Sequence, residues 1–379
     1  MVSGPFVFTG PFVDCVKNKG RDDRDGDDAG QEDGHGERND EGGPKPIHGE
    51  HFSKDALELP RFTLGEQGDS MHSFAIISDN ACALTKPYRE RFGVDAVVYG
   101  TITYPDGHSE YSDLDYERIS PEDYFGSISK KAIFKTACAN LDQMIGVMEP
   151  FAKEGKDIVF ITISSALSGT YNFAVKAAQN IMESYPGVHV YVIDSLRYAS
   201  ALALLVQEAC ARRDEGLDAK QTAEWIEANK QCFHQMGIMD DLFFLARTGR
   251  IGKAKAFFGT MAGVKPMGEF SYSGLTEVIG KAKGAKNGLE ATISYMKNRI
   301  VDPEKHIVFI AHSIREKEAK YLEKRIAEEF HPKEIICLPL DQTSGANVGP
   351  GLAAAFFYGK PLSKDLSEEK AVITEILNK

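Results

Sequence analysis

No stretch of this chain approaches the roughly 18 consecutive apolar residues of a membrane-spanning helix, so its body reads as soluble rather than as an integral membrane protein. It also lacks any C-x-x-C pair. Cys15, Cys82, Cys138, Cys210, Cys232 and Cys337 lie far apart, which argues against a zinc ribbon or a small disulfide scaffold and suits the reducing cytoplasm. The histidines form no H-E-x-x-H, and nothing calls for a metal or an organic cofactor. A phosphate-binding loop is missing, because Gly249-Arg-Ile-Gly-Lys-Ala254 has the wrong spacing and no hydroxyl after Lys253. No G-x-G-x-x-G follows the first strand, so a dinucleotide site has no support. A serine-hydrolase elbow is equally absent, since Ala166 and Thr170 flank Ser168 where glycines belong.

Residues 1–70 differ from the rest. Between Gly20 and Gly43 almost every residue is Gly, Asp, Glu, Arg, Asn or Gln, too little apolar surface to offset the entropy of ordering, so a disordered acidic extension is expected. Residues 1–70 hold 16 acidic against 8 basic residues, hence -8 of the net charge of -12, which leaves -4 for the body. Met1 to Val16 makes a poor signal peptide, because prolines and Asp14 interrupt it and no positive cluster precedes it. Strand-like sequence begins just after Met71, which reads as the functional start, with the preceding segment an upstream extension or a mis-assigned reading frame.

The body alternates strand and helix patterns, which implies an α/β protein with a mainly parallel sheet at its N-terminal end. Ile158 to Ile163 is short, apolar and rich in β-branched residues, as a strand buried on both faces should be. It runs through Ser164, Ser165, Ser168, Gly169 and Thr170 into a helical pattern on Tyr171, Ala174, Val175, Ala178, Ile181 and Met182, with Ser168 or Thr170 suited to the N-cap. Unpaired amides at such a start, the helix dipole and several hydroxyls favour an anion. Further strands are expected at Phe74–Ile77, Ala96–Thr103, Val188–Ile193, Gly237–Met239, Thr276–Lys283, His306–His312 and Ile335–Leu340. The expected division is an N-terminal α/β domain over 71–232, a C-terminal α/β domain over 233–362, and a tail over 363–379.

Arg247, Arg250, Lys253, Lys255, Lys265, Lys281, Lys283 and Lys286 crowd a stretch with few acids. This is either a solvated face or a positive rim that draws in an acidic partner or a phosphate. Nucleic acid is disfavoured, because the body is net negative and has no aromatic-basic motif. The pairs Phe243-Phe244, Phe257-Phe258 and Phe356-Phe357 read as core, and His312 as structural.

Six motifs in order, Ile76-Ile-Ser-Asp79, Ser164-Ser-Ala-Leu-Ser-Gly-Thr-Tyr171, Val192-Ile-Asp-Ser195, Asp241 to Ile251, Val264-Lys-Pro266 and Gly345-Ala-Asn-Val-Gly-Pro-Gly351, resemble the DegV family of bacterial fatty-acid-binding proteins across Ser73 to Gly359. The resemblance implies a two-domain α/β fold that buries one long-chain fatty acid between the domains. It also implies a carboxylate held by Thr136 and Ser168, with Ser165, Gly169 and Asn347 as further ligand-binding candidates and Arg247, Arg250 and Lys253 as partner-binding ones. Some members, the FakB-type subunits, hand the acid to a separate fatty acid kinase that makes acyl phosphate, so a kinase partner and no catalytic residue are expected here. This chain departs from the family pattern by carrying Asn347 in place of a histidine that can change charge, Thr136-Ala-Cys-Ala139 in place of T-S-Q-P, and Thr248 in place of a glycine. The alternative is an enzyme acting on a small phosphorylated or carboxylated substrate at the same loop.

Overall fold

The computed structural model describes residues 72–129, 133–252 and 263–379, so the expected disordered extension, Lys253 and Phe257-Phe258 lie outside the described residues. In chain order the first half contains β1 (Ala75–Asp79), α1 (Lys86–Phe92), β2 (Ala96–Val98), β3 (Thr101–Thr103), β4 (Ser109–Tyr111), α2 (Pro121–Ser129), β5 (Lys135–Ala137), α3 (Leu141–Lys153), β6 (Ile158–Thr162), α4 (Thr170–Ser184), β7 (Val190–Asp194), α5 (Ala199–Asp214) and α6 (Ala219–Asn229). The second half contains β8 (Phe233–Ile238), α7 (Phe243–Thr248), β9 (Val264–Phe270), β10 (Thr276–Lys283), α8 (Ala285–Arg299), β11 (Ile307–His312), α9 (Glu316–Phe330), β12 (Glu334–Pro339), α10 (Gln342–Val348), β13 (Ala353–Tyr358) and α11 (Ser367–Leu377).

A parallel four-stranded sheet runs β2-β1-β6-β7, with Ile76 opposite Val159 and Ile161 opposite Ile193. Alternation along these strands feeds two cores. Ile77, Phe160 and Val192 pack with Met144, Met148, Ala174 and Ile181 of α3 and α4. Ile76, Val159, Ile161 and Ile193 share the other core with Leu202 and Leu205 of α5. Because crossovers cover both faces, β6 is apolar throughout rather than alternating, which is what made it legible as a strand.

The six-stranded sheet runs β10-β9-β8-β13-β11-β12, antiparallel except for the β11–β12 pair. Helix α5 lies between the sheets, against β1 on one side and β8, β11 and β13 on the other. That position explains its composition: Leu202, Leu204, Leu205 and Val206 are all fully buried, and a helix buried on every side has no polar face to present.

Three expectations need correction. Ala96–Thr103 is not one strand, because the chain leaves the parallel sheet at Tyr99-Gly100 and β3 joins a small antiparallel sheet, β4-β3-β5. Gly100 makes this possible, since a Cβ there would collide with the Ala137 carbonyl, and its amide donates to Asn80 Oδ1 at 2.9 Å. Residues 363–379, expected as a tail, include α11, which packs on β10 and α8 with Ile373 fully buried. Neither Ser168 nor Thr170 is the N-cap of α4. Gly169 holds that position, and Ser168 Oγ instead accepts from the Thr170 amide at 3.3 Å.

Glu269 organises the polar interior of the second half. Its fully buried carboxylate accepts from the amides of Gln235 (2.9 Å) and Phe270 (2.8 Å) and from Tyr295 Oη (2.9 Å), and it meets His234 Nδ1 at 2.8 Å. Removing a buried charged partner strands the groups it satisfied. Glu269→Ala is therefore expected to lower stability by about 3–5 kcal/mol in denaturant unfolding, with Glu269→Gln intermediate because it keeps one acceptor. A loss under about 1 kcal/mol would contradict this account.

Candidate functional site

Five segments meet at the carboxyl ends of β1 and β6, the place where parallel sheets collect ligands. They enclose a cavity of about 280 Å³. Asp79, Asn80 and Ala81 come from the turn after β1, Thr136 to Cys138 from β5, Leu167 to Thr170 from the loop opening α4, Leu245 and Arg250 from α7 and its exit, and Thr343, Ser344, Asn347 and Val348 from α10. Tyr198, just before α5, and Ile163 complete the wall.

Thr136, Ser168, Gly169 and Asn347 are thus brought together. Asn347 Nδ2 donates to Thr136 Oγ1 at 3.4 Å and to the Thr343 carbonyl at 2.9 Å, which fixes the amide over β5. Ser168 Oγ and Thr170 Oγ1 lie 2.9 Å apart at the N-terminus of the 15-residue α4, where free amides and the dipole add to the attraction for an anion. Ser165 does not join them. Its hydroxyl donates to Asp194 Oδ2 at 2.5 Å and its amide to Asp194 Oδ1 at 2.9 Å, so it ties the loop after β6 to the end of β7 outside the cavity wall.

The basic residues divide in the same way. Arg250 lines the cavity, its Nε donating to the Leu167 carbonyl at 3.2 Å and Nη1 to the Thr248 carbonyl. Arg247 instead lies over the rings of Phe243 and Phe244, 5.7 and 5.3 Å from their centroids. Phe244 is buried as expected, whereas Phe243 is 55% exposed. Phe356 and Phe357 are buried core. His312 is outside the cavity wall, with Nδ1 3.7 Å from Glu316, and burial pulls its pKa down.

Asn80, Thr343 and Ser344 escaped the sequence reading as site residues, whereas Asp79 lay within the Ile76-Ile-Ser-Asp79 motif at the end of the first strand. Asp79 caps the turn after β1, accepting from Ala81 N at 2.9 Å and from Ile163 N at 2.6 Å, and so joins the ends of β1 and β6. Asn80 Nδ2 donates to Thr343 Oγ1 at 2.6 Å, and Thr343 in turn donates to Ser112 at 2.9 Å. Asp341 caps α10 through the Ser344 amide at 2.8 Å. Burial pushes the carboxyls of Asp79 and Asp341 up to about 6, against the lowering effect of those amides. Burial likewise raises the Cys138 thiol, which makes it a poor thiolate. The Asp341-x-x-Ser344 spacing was the available signal for the α10 cap.

Glycines let α10 sit this close. A Cβ on Gly345 would stand 2.7 Å from Phe125, and one on Gly349, where φ is +79°, would overlap the Phe244 ring. Gly349→Ala should therefore cost about 1–3 kcal/mol in thermal unfolding, from overpacking and left-handed strain together. Gly126→Ala, in open space on α2, should leave stability unchanged or slightly raised. Equal behaviour of the two variants would refute the close-packing argument.

A profile of the family described as an uncharacterised protein, DegV family, matches residues 73–360. A DegV domain-containing protein of Clostridium perfringens is 29% identical over 289 residues, covering 76% of this chain and 98% of that one. Among solved structures, a DegV family protein from Thermus thermophilus, described for its fatty acid binding, aligns with a TM-score of 0.68 at 24% identity, over 76% of this chain and all of its own. The fatty acid kinase B3 protein of Streptococcus pneumoniae, solved loaded with linoleic acid, aligns with a TM-score of 0.64 at 22% identity, over the same shares.

Proposed function

The chain belongs to the DegV family, and on that premise we propose that it binds a long-chain fatty acid and presents the carboxyl end to a separate fatty acid kinase for acyl-phosphate formation. The observation that carries this reading is the cavity itself, whose wall includes hydroxyls from β5 and from the start of α4 together with apolar side chains. Thr136, Ser168 and Asn347, with the α4 amides around Gly169, hold the carboxylate. Ile163, Leu167, Tyr198, Leu245 and Val348 receive the first methylenes. The fatty acids named for the structural relatives support the same class of ligand.

Energetics divide the work. Burying about 14 methylenes at about 0.8 kcal/mol each gives a gross term near 11 kcal/mol, less the costs of association and ordering. Each hydrogen bond to the charged head adds about 1.5–3 kcal/mol and keeps the carboxylate from being buried unpaired. The tail supplies affinity and the hydroxyls supply orientation, so the protein needs no nucleophile of its own. At about 280 Å³ the cavity is near the lower limit of roughly 300 Å³ for small-molecule sites. The acid's head and first methylenes fill it, and the remaining chain parts the apolar side chains behind Tyr198 and Leu245, in the seam between a domain of residues 71–232 and one of 233–362.

Arg250 at the cavity wall and Arg247 over Phe243 and Phe244 supply the positive rim toward which a kinase brings its nucleotide phosphates. Native mass spectrometry of the chain purified from cells should find an acyl chain of about 14 to 18 carbons, the size that burial on this scale favours. The double variant Thr136→Ala, Ser168→Ala should lose most of that occupancy and all kinase-dependent phosphorylation while its melting temperature barely moves. Full lipid occupancy and unchanged phosphorylation in the double variant would reject this assignment of the head site. Lipid-free protein from every preparation would favour an enzyme acting on a small anion instead.

A further inference from the structure

One acid stands in the wall where another is proposed to bind, and a second starts the helix that forms part of that wall. Asp79 lines the cavity with 4% of its surface exposed, and Asp341, at 2%, caps the helix that supplies Thr343, Ser344 and Asn347 to the same wall. Nearby residues of the two segments touch directly, Asn80 Nδ2 donating to Thr343 Oγ1 at 2.6 Å, and the Asp341 carboxyl adds to the burial that raises Asp79. Asp341 Oδ2 is buried without a hydrogen-bond partner.

The groups around Asp79 come from every adjoining element. Cys82 follows on the turn after β1, Cys138 comes from beyond β5, Asp341 from the start of α10 and Tyr198 from the start of α5. Among the described residues Arg250 is the one basic residue in the cavity wall, and its guanidinium is already engaged with the carbonyls of Leu167 and Thr248. A carboxylate entering this site meets Asp79 in the wall, with Asp341 at the start of α10, and an arginine already engaged. Like charges that close cannot all stay ionised in a medium of low dielectric.

We propose that Asp79 and Asp341 form a proton-accepting pair at the head of the cavity, so that one proton enters from solvent with each fatty acid and leaves with it. The proton settles on a carboxyl oxygen of the pair, for which the partnerless Oδ2 of Asp341 is free, and no other bond is made or broken. The inference rests on the lipid reading above and adds its regulation. Both carboxyls already titrate near 6 through burial, and a neighbouring anion raises them further. The sign follows: the liganded protein binds more protons than the empty one, so affinity grows as pH falls and weakens above neutrality. The pair also separates ligands by head chemistry, since a neutral head adds no charge and takes up no proton.

Calorimetric titration of the delipidated full chain tests this, with palmitic acid and hexadecanol as probes in two buffers of equal pH but different ionisation enthalpy. At pH 7 palmitic acid should bring in about one proton and lose affinity by up to ~10-fold per pH unit above that, while hexadecanol should show neither effect. Asp79→Asn and Asp341→Asn, which keep an amide-accepting oxygen, should each reduce the uptake by half or more. Binding of the acid with no proton uptake, or undiminished uptake in both variants, overturns the proton pair and leaves the lipid reading standing. A chain that binds neither acid nor alcohol removes both.

Discussion

The approach of α10 to the ends of β1 and β5 is the constraint on which the cavity depends. Two places on this short helix and its exit, Gly345 and Gly349, would press a methyl group into Phe125 and Phe244 if they bore one. With those positions bare, Thr343 reaches Asn80 and Asn347 reaches Thr136, across more than two hundred residues of chain in each case. The same helix is held from outside the cavity, where Tyr124 Oη donates to the Gln342 carbonyl at 2.7 Å and the Asp113 amide to Gln342 Oε1 at 2.9 Å. The wall of the site is therefore assembled by tertiary packing between the two halves of the molecule, and neither half alone carries it.

That assembly places opposing electrostatic influences side by side. Free amides at the start of α4 and the hydroxyls of Ser168 and Thr170 draw a negative group inward. Asp79 and Asp341 push it away, yet they cannot be dispensed with, because one clasps β1 to β6 and the other starts α10. The carboxyls that build the cavity thus also set the terms on which an anion enters it.

What the sequence revealed, and what it hid, follows from the range of the forces involved. Strand β6 was legible because burial on both faces leaves no polar alternation, and β10 was read to its observed ends because its pattern is local. The break at Tyr99-Gly100 was not, since it answers to the Ala137 carbonyl and to Asn80 rather than to neighbours in sequence. Ser165 and Ser168 look alike in one dimension. Only the fold shows that Asp194 claims the first while the second faces the cavity. Residues 363–379 read as a tail because their apolar positions are few, yet Ile373 finds a bare patch on β10 at Gly280 and settles there. Thr136 and Asn347, too, came from family likeness and not from spacing.

That last contact reaches beyond local packing. Strand β10 is the outermost strand of its sheet, with β9 on one side and no named strand on the other among the described residues. Helix α11 lays Ile373 and Leu377 over Gly280, where the β9–β10 register shifts. An open margin with a greasy face is the kind of surface on which chains stack into aggregates. The roughly three turns of α11 thus guard that margin, and a chain clipped ahead of Ser367 would clump while its cavity was still intact.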